Sequence, residues 1–165
     1  MLTPCTIYTD GSCKGNPGPG GYCAVIDGDG ERRVVEGREL SATNNRMELM
    51  AVLRAIESCT EPHEITVVTD STYAIMSNDK YRRLSANANW ANKDLWYDLV
   101  TVCRKNGHKV KYQYIKGLAG DELNEFCDQR AKAQATRACH ELTHGSWKTA
   151  SCKSLVKELK LEERS

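Results

Sequence analysis

An α/β fold, a mixed sheet with helices packed against it, is predicted by three features of the chain. Three strand-length segments lead the sequence, apolar spacing becomes helical after Thr43, and strands then alternate with helices from Ile65 onward. Cys5 to Thr9 reads as a strand that closes on Asp10, and Gly11 to Gly21 is dense enough in glycine and proline to predict a loop. Gly21 to Ile26 and Arg32 to Leu40 read as two strands joined across Asp27-Gly28-Asp29-Gly30, a good hairpin turn. From Thr43, Ala51, Val52, Ala55 and Cys59 recur at helical spacing, and Glu48 lies on that face at its N-terminal end, so it points inward. Ile65 to Thr69 is a short apolar strand, followed by a brief helix from Ser71 to about Met76. Residues 77–92 are polar and Asn-rich, a predicted loop carrying Arg82, Arg83 and Trp90. Asn92 or Asp94 caps a helix that runs to Asn106 and stops at Gly107. Lys109 to Ile115 alternates Val110, Tyr112 and Tyr114 with Lys109, Lys111 and Gln113, a half-exposed strand. After Gly117-Leu118-Ala119-Gly120 a helix begins near Asp121 and passes Ala135, which completes the order β-β-β-α-β-α-α-β-α.

At 165 residues the chain suits one domain with a short appendage. The formal net charge of +1 conceals an uneven distribution: residues 1–79 carry 6 Lys/Arg against 12 Asp/Glu, and residues 80–116 carry 9 against 2. An acidic segment followed by a basic one suits a metal-dependent enzyme acting on a polyanion, although a solvated basic surface explains the same counts. The start of the chain has no secretory pattern, so its eight cysteines are expected to be reduced thiols and its location cytoplasmic. No apolar run reaches the roughly 20 residues needed to cross a bilayer.

Two strands deliver an acid in the same way, Ile7-Tyr8-Thr9-Asp10 and Val67-Val68-Thr69-Asp70. Burying such carboxylates without compensation costs several kcal/mol, and with Glu48 at the head of an apolar helix face the natural compensation is a divalent metal bound through oxygen. Asp128 on the last helix reads, from position alone, as an exposed helical acid near Arg130 and Lys132.

The run Asp10-Gly11-Ser12-Cys13-Lys14-Gly15-Asn16-Pro17-Gly18-Pro19-Gly20-Gly21 resembles the first signature of ribonuclease H type 1. Thr43-Asn44-Asn45-Arg46-Met47-Glu48-Leu49, Thr69-Asp70-Ser71 and Asn124-Glu125-Phe126-Cys127-Asp128 resemble the family's later segments, in the family's order. The resemblance implies a ribonuclease H-like, five-stranded mixed sheet, three antiparallel strands and then two parallel, over residues 1–138, with 139–165 a C-terminal tail. It also implies an endonuclease that hydrolyses the RNA strand of RNA–DNA hybrids, leaving 5′-phosphate and 3′-hydroxyl ends. Asp10, Glu48, Asp70 and Asp128 would converge on two Mg²⁺ ions, with Mn²⁺ as a substitute, one cation activating water and the other stabilising the leaving oxygen. By the same resemblance Cys13, Lys14, Gly15, Asn16, Asn44 and Asn45 contact the hybrid's minor groove, where the 2′-OH separates RNA from DNA, and Thr43, Asn16 and Asn92 hold a DNA-strand phosphate. Asn44 and Asn45 also read as a helix N-terminus and its cap.

The chain departs from the family pattern in two places. Leu118 stands where most cellular members carry a loop histidine, and leucine neither binds nor donates a proton, so slowed turnover is expected. The stretch from Ser77 to Lys93 is short, with only Lys80, Arg82, Arg83 and Lys93 basic, which predicts weaker, salt-sensitive hybrid affinity. In the tail, Cys139, His140, His144 and Cys152 fit no common zinc pattern, whereas Cys152, Leu155, Val156 and Leu159 recur at helical intervals and suit a terminal helix that packs on the domain or on a protein partner. A monomer without membrane association is expected. The alternative is a catalytically weak or inactive hybrid-binding module; a different nuclease or recombinase of the same general fold is a third reading.

Overall fold

The computed structural model describes residues 2–28, 30–76, 91–116 and 120–143. Strands β1 (Thr3–Cys13), β2 (Gly18–Gly28) and β3 (Glu31–Ala42) come first, followed by helix α1 (Asn44–Glu57) and strand β4 (His63–Thr69). A short helix α2 (72–76), helix α3 (Lys93–Asn106), strand β5 (Lys109–Tyr114) and helix α4 (Glu122–Leu142) complete the chain. The five strands form one sheet in the order β3-β2-β1-β4-β5. β2 pairs antiparallel with both β1 and β3, and β4 and β5 extend the sheet in parallel with β1, as the sequence predicts. No helix among the described residues is long and apolar enough to cross a membrane.

The period-2 alternation of β1 and β2 sorts their side chains onto two faces. Cys5, Ile7, Ala24 and Ile26 join the large core under α1 and α3, which includes Met47, Leu53, Ile56, Leu95 and Trp96. Cys23, Val25 and the half-buried Tyr8 face the other way and pack against Cys127 and Ala131 of α4. Both faces of the central strands are therefore covered, so any acid they carry is drawn out of water.

The loop expected over residues 11–21 is mostly strand. β1 continues through Cys13 and β2 begins at Gly18, with Ser12 opposite Gly21 and Cys13 opposite Gly20. Glycine is tolerated in these strands because helices press on them. A Cβ on Gly21 would lie 2.4 Å from the Ala131 carbonyl oxygen and 2.5 Å from the Ala135 nitrogen of α4. Only residues 14–17 turn the chain, closed by a 2.7 Å hydrogen bond from the Lys14 amide to the Pro19 carbonyl and containing a cis Asn16-Pro17 peptide.

Thr43 caps α1, its hydroxyl accepting from the Arg46 amide at 3.1 Å. Gly107 ends α3 in the left-handed conformation, as read from the sequence. Asn92 occupies the position before α3 at φ 62°, but its side chain makes no cap bond there. α4 passes the boundary expected at residue 138, with Ala138 and Cys139 buried, and ends at Leu142. Cys5, Cys13, Cys23, Cys59, Cys103 and Cys127 are free thiols, as expected, whereas Cys139 is disulfide-bonded. The expectations for Leu118, for Lys80, Arg82, Arg83 and Trp90, and for the tail from His144 onward lie outside the described residues.

Candidate active site

The β1–β4 register runs from Thr3 opposite His63 to Tyr8 opposite Val68. Carried two residues further, the same register sets Asp10 level with Asp70. Asp10 lies within β1, because pairing with β2 keeps that strand going, and Asp70 follows directly after β4. Both acids thus stand at the carboxyl end of adjacent parallel strands, where open α/β sheets place their ligands.

Glu48 reaches this point from the second turn of α1, and Gly11 permits the approach. A Cβ at Gly11 would sit 2.5 Å from the Glu48 nitrogen and 2.6 Å from the Met47 carbonyl carbon, so the helix backbone rests on the strand where a side chain would be. Each of Asp10, Glu48 and Asp70 offers a carboxylate oxygen, and the three oxygens lie within 4.8 Å of one another.

Asp10 is only 4% exposed, and its Oδ1 accepts from the Gly11 amide at 2.9 Å. Burial, then repulsion from Asp70, raises its pKa from 3.8 to about 7. Burial, followed by the Asp10 charge and a hydrogen bond shared with Asp10, pushes Glu48 well above its ordinary value. Burial also raises Asp70, with a further contribution from Asp128. The arrangement is strained as three anions and relaxed with a proton or a cation among them. The Glu48 Oε2 oxygen is buried with no hydrogen-bond partner. An all-oxygen donor set with one oxygen left unsatisfied fits a hard divalent cation.

Asp128 is not one of the three clustered acids. It lies half-buried on α4, and Lys132 one turn on donates to its Oδ2 at 3.0 Å. Its charge nevertheless acts on both Asp10 and Asp70. The pairing with Lys132 agrees with the reading as a helical acid, although the side chain is half-buried and not exposed.

Of the residues expected to contact nucleic acid, those on the turn after β1 and at the start of α1 are linked by hydrogen bonds. The Cys13 thiol donates to the Gly18 and Ala42 carbonyls, tying the end of β1 to β2 and β3. Lys14 is half-buried, and Gly15 and Asn16 are exposed on the turn, Gly15 at φ 97°. Asn16 Oδ1 accepts from the Asn44 amide at 3.1 Å, which joins the turn to the start of α1, where Asn44 and Asn45 are exposed. Asn92 is attached to the same corner by two residues that sequence reasoning did not single out. Its Nδ2 donates to the Tyr73 hydroxyl at 3.0 Å, and Arg46 donates to its Oδ1 at 3.5 Å. Arg46 also forks onto Asp94 at 3.1 and 2.8 Å and pairs with Glu39 at 3.4 Å. An arginine two residues before the helix acid was the available signal, but its partners come from distant parts of the chain.

The family model for RNase H matches residues 3–136. Ribonuclease HI of Synechocystis is 42% identical over 139 residues, 78% of this chain and 85% of that protein. Ribonuclease H of Pelobacter propionicus is 39% identical over 142 residues, 81% of this chain and 86% of that protein. Among solved structures, LC9-RNase H1, a type 1 RNase H with the type 2 active-site motif, superposes with a TM-score of 0.68 at 29% identity, covering 82% of this chain and 73% of that one. LC11-RNase H1 in complex with RNA/DNA hybrid gives 0.65 at 21% identity, covering 81% and 98%.

Proposed function

The chain belongs to the RNase H family, whose activity is hydrolysis of the RNA strand of RNA–DNA hybrids, and from that premise we propose that Asp10, Glu48, Asp70 and Asp128 carry its catalysis with Mg²⁺ as the cation. The single observation that carries the proposal is the meeting of three carboxylates from β1, α1 and the end of β4 within 4.8 Å. A divalent requirement follows from that cluster, and Mg²⁺ is the hard, oxygen-seeking ion that suits phosphate chemistry. When bound by these carboxylates, two such ions supply an activated water and a positive clamp on the scissile phosphate.

The protein's own groups do the rest. Asp10, buried, and Glu48, half-buried beside it, both have raised pKa values, so a proton is held in this pair until a cation replaces it. Asp128 adds negative charge at the rim while Lys132 partly neutralises it. The exposed turn at Gly15 and Asn16 and the exposed Asn44 and Asn45 offer amide and backbone groups to the minor groove, where 2′-hydroxyls mark the RNA strand. Thr43, Asn16 and Asn92 stand at the same corner for a backbone phosphate, and the structural neighbour bound to RNA/DNA hybrid supports that choice of substrate.

Labelled hybrid, double-stranded RNA and double-stranded DNA, each incubated with Mg²⁺, Mn²⁺ or chelator, test the reading. Cleavage is expected in the RNA strand of the hybrid alone, with 5′-phosphate and 3′-hydroxyl ends, and none with chelator. Asp10→Asn is expected to lower the rate by about 10³-fold or more, the equivalent of ~4 kcal/mol of lost transition-state stabilisation. Hybrid binding in Mg²⁺ without cleavage would return the chain to the class of binding modules.

A further inference from the structure

At the end of β1 and α1 remote from the carboxylates, a cavity of about 290 Å³ is lined by Cys5, Ile26, Arg33, Ser58, Cys59 and His63 among others. Its rim residues Glu31, Arg33, Thr60 and Glu61 are exposed, whereas Cys59 is 2% and Cys5 4% exposed at its wall. Both sulfurs are free thiols on the wall of the same cavity, and the Cys59 thiol donates to the Ala55 carbonyl at 3.5 Å. The Arg33 guanidinium lies 3.9 Å from that same sulfur and also donates to the Ser58 carbonyl at 3.3 Å. His108 donates to the Cys59 carbonyl at 2.8 Å and Asn106 at 3.3 Å, which fixes the cysteine backbone.

We propose that Cys59 and Cys5 form an oxidisable thiol pair, with Cys59 the attacking sulfur and a small peroxide the oxidant admitted by this cavity. A cation, a neighbouring thiol and an adjoining cavity are what separate a reactive cysteine from an inert buried one. The Cys59 thiolate attacks one peroxide oxygen: the S–O bond forms, the O–O bond breaks, and the departing oxygen leaves as water after protonation. The Cys5 sulfur then attacks the Cys59 sulfenic acid, the S–S bond forms, and the second oxygen leaves as water. Two thiols are oxidised to one disulfide and one hydrogen peroxide is reduced to two waters. The environment supports this order. Hydrogen bonding with Cys5, against burial and with help from Arg33 and His63, lowers the Cys59 pKa to about 6, while burial raises Cys103 to about 11. Hydrogen bonding to Cys23 together with burial raises Cys127 as well.

Peroxide titration of the reduced full-length protein in Mg²⁺ at neutral pH, with rapid alkylation and peptide mapping, tests the proposal without any substitution. Cys59 and Cys5 are expected to lose alkylation together, at least about tenfold faster than Cys103, and to be recovered as one linked peptide pair lighter by two hydrogens. In Cys5→Ser the Cys59 sulfenic acid is expected to persist and to be trapped by dimedone. Loss of Cys59 no faster than Cys103, or oxidation of Cys59 that leaves Cys5 alkylatable in the unsubstituted protein, would overturn it.

Discussion

At Asp128 a single cation sets how much negative charge the candidate site presents. The Lys132 ammonium is one turn away on the same helix and half in water, a pairing worth about 0.3–0.5 kcal/mol. Lys132→Ala is expected to free Asp128 toward Asp10 and Asp70 and to lower the Mg²⁺ concentration for half-maximal hybrid cleavage by about twofold. A titration of rate against Mg²⁺ that shows no change, or a rise, would mean that Asp128 does not serve the cluster. The sequence showed Asp128 and Lys132 four apart on a helix, so their pairing was legible. The distance from Asp128 to the strand acids was not, because it depends on how α4 crosses the sheet. Arg46 and Tyr73 escaped for the same reason: the groups that make Arg46 a junction, Glu39, Asn92 and Asp94, belong to β3 and to the start of α3.

Among the elements, the contact between β1 and α1 is the one that assembles the site. Apolar spacing placed Glu48 on the inward face of α1, and the apolar run from Cys5 to Thr9 placed Asp10 at its close, although β1 continues to Cys13. What brings them together is the bare Gly11 backbone, which the sequence offered only as one glycine in a glycine-rich run. That run was expected to be a loop because glycine and proline density usually marks turns; here helix packing over the strands requires the same residues. Gly11→Ala must displace α1 at Met47 and Glu48, since the two nearest atoms it meets are backbone. It is expected to cost about 1–3 kcal/mol of stability and to lower cleavage more than tenfold by drawing Glu48 from Asp10. Gly30→Ala provides the contrast. Nothing lies within 4 Å of its added Cβ, so only the strain of φ 76° is incurred, about 1–2 kcal/mol, and cleavage should stand. Equal losses of activity in the two variants, measured against melting temperature, would show that the close approach of helix and strand is irrelevant to the site.

For the whole molecule, a buried acidic cluster makes stability depend on pH and on cations together. Asp10 ionises at about 7 in the folded chain but near 3.8 when unfolded, so between these values the folded state binds the additional proton. Stability of the metal-free protein must then fall as pH rises from about 4 to about 7, the opposite of a salt-bridged aspartate, at a rate of ~1.4 kcal/mol per pH unit for one such group. Glu48, raised for the same reasons, acts in the same direction. Mg²⁺ binds the ionised cluster and not the unfolded chain, so it is expected to restore by mass action what deprotonation removes, and to do so increasingly above pH 7. Asp10→Asn removes the group responsible: its metal-free melting temperature at pH 8 should exceed that of the unsubstituted protein, while its response to Mg²⁺ shrinks and its nuclease activity is lost. Thermal unfolding from pH 4 to 8, in chelator and in Mg²⁺, reads all three effects. A metal-free stability that rises with pH through this window, or a substituted protein less stable at pH 8 than its parent, would mean that these carboxylates are already compensated within the fold and that the cation is not what completes them.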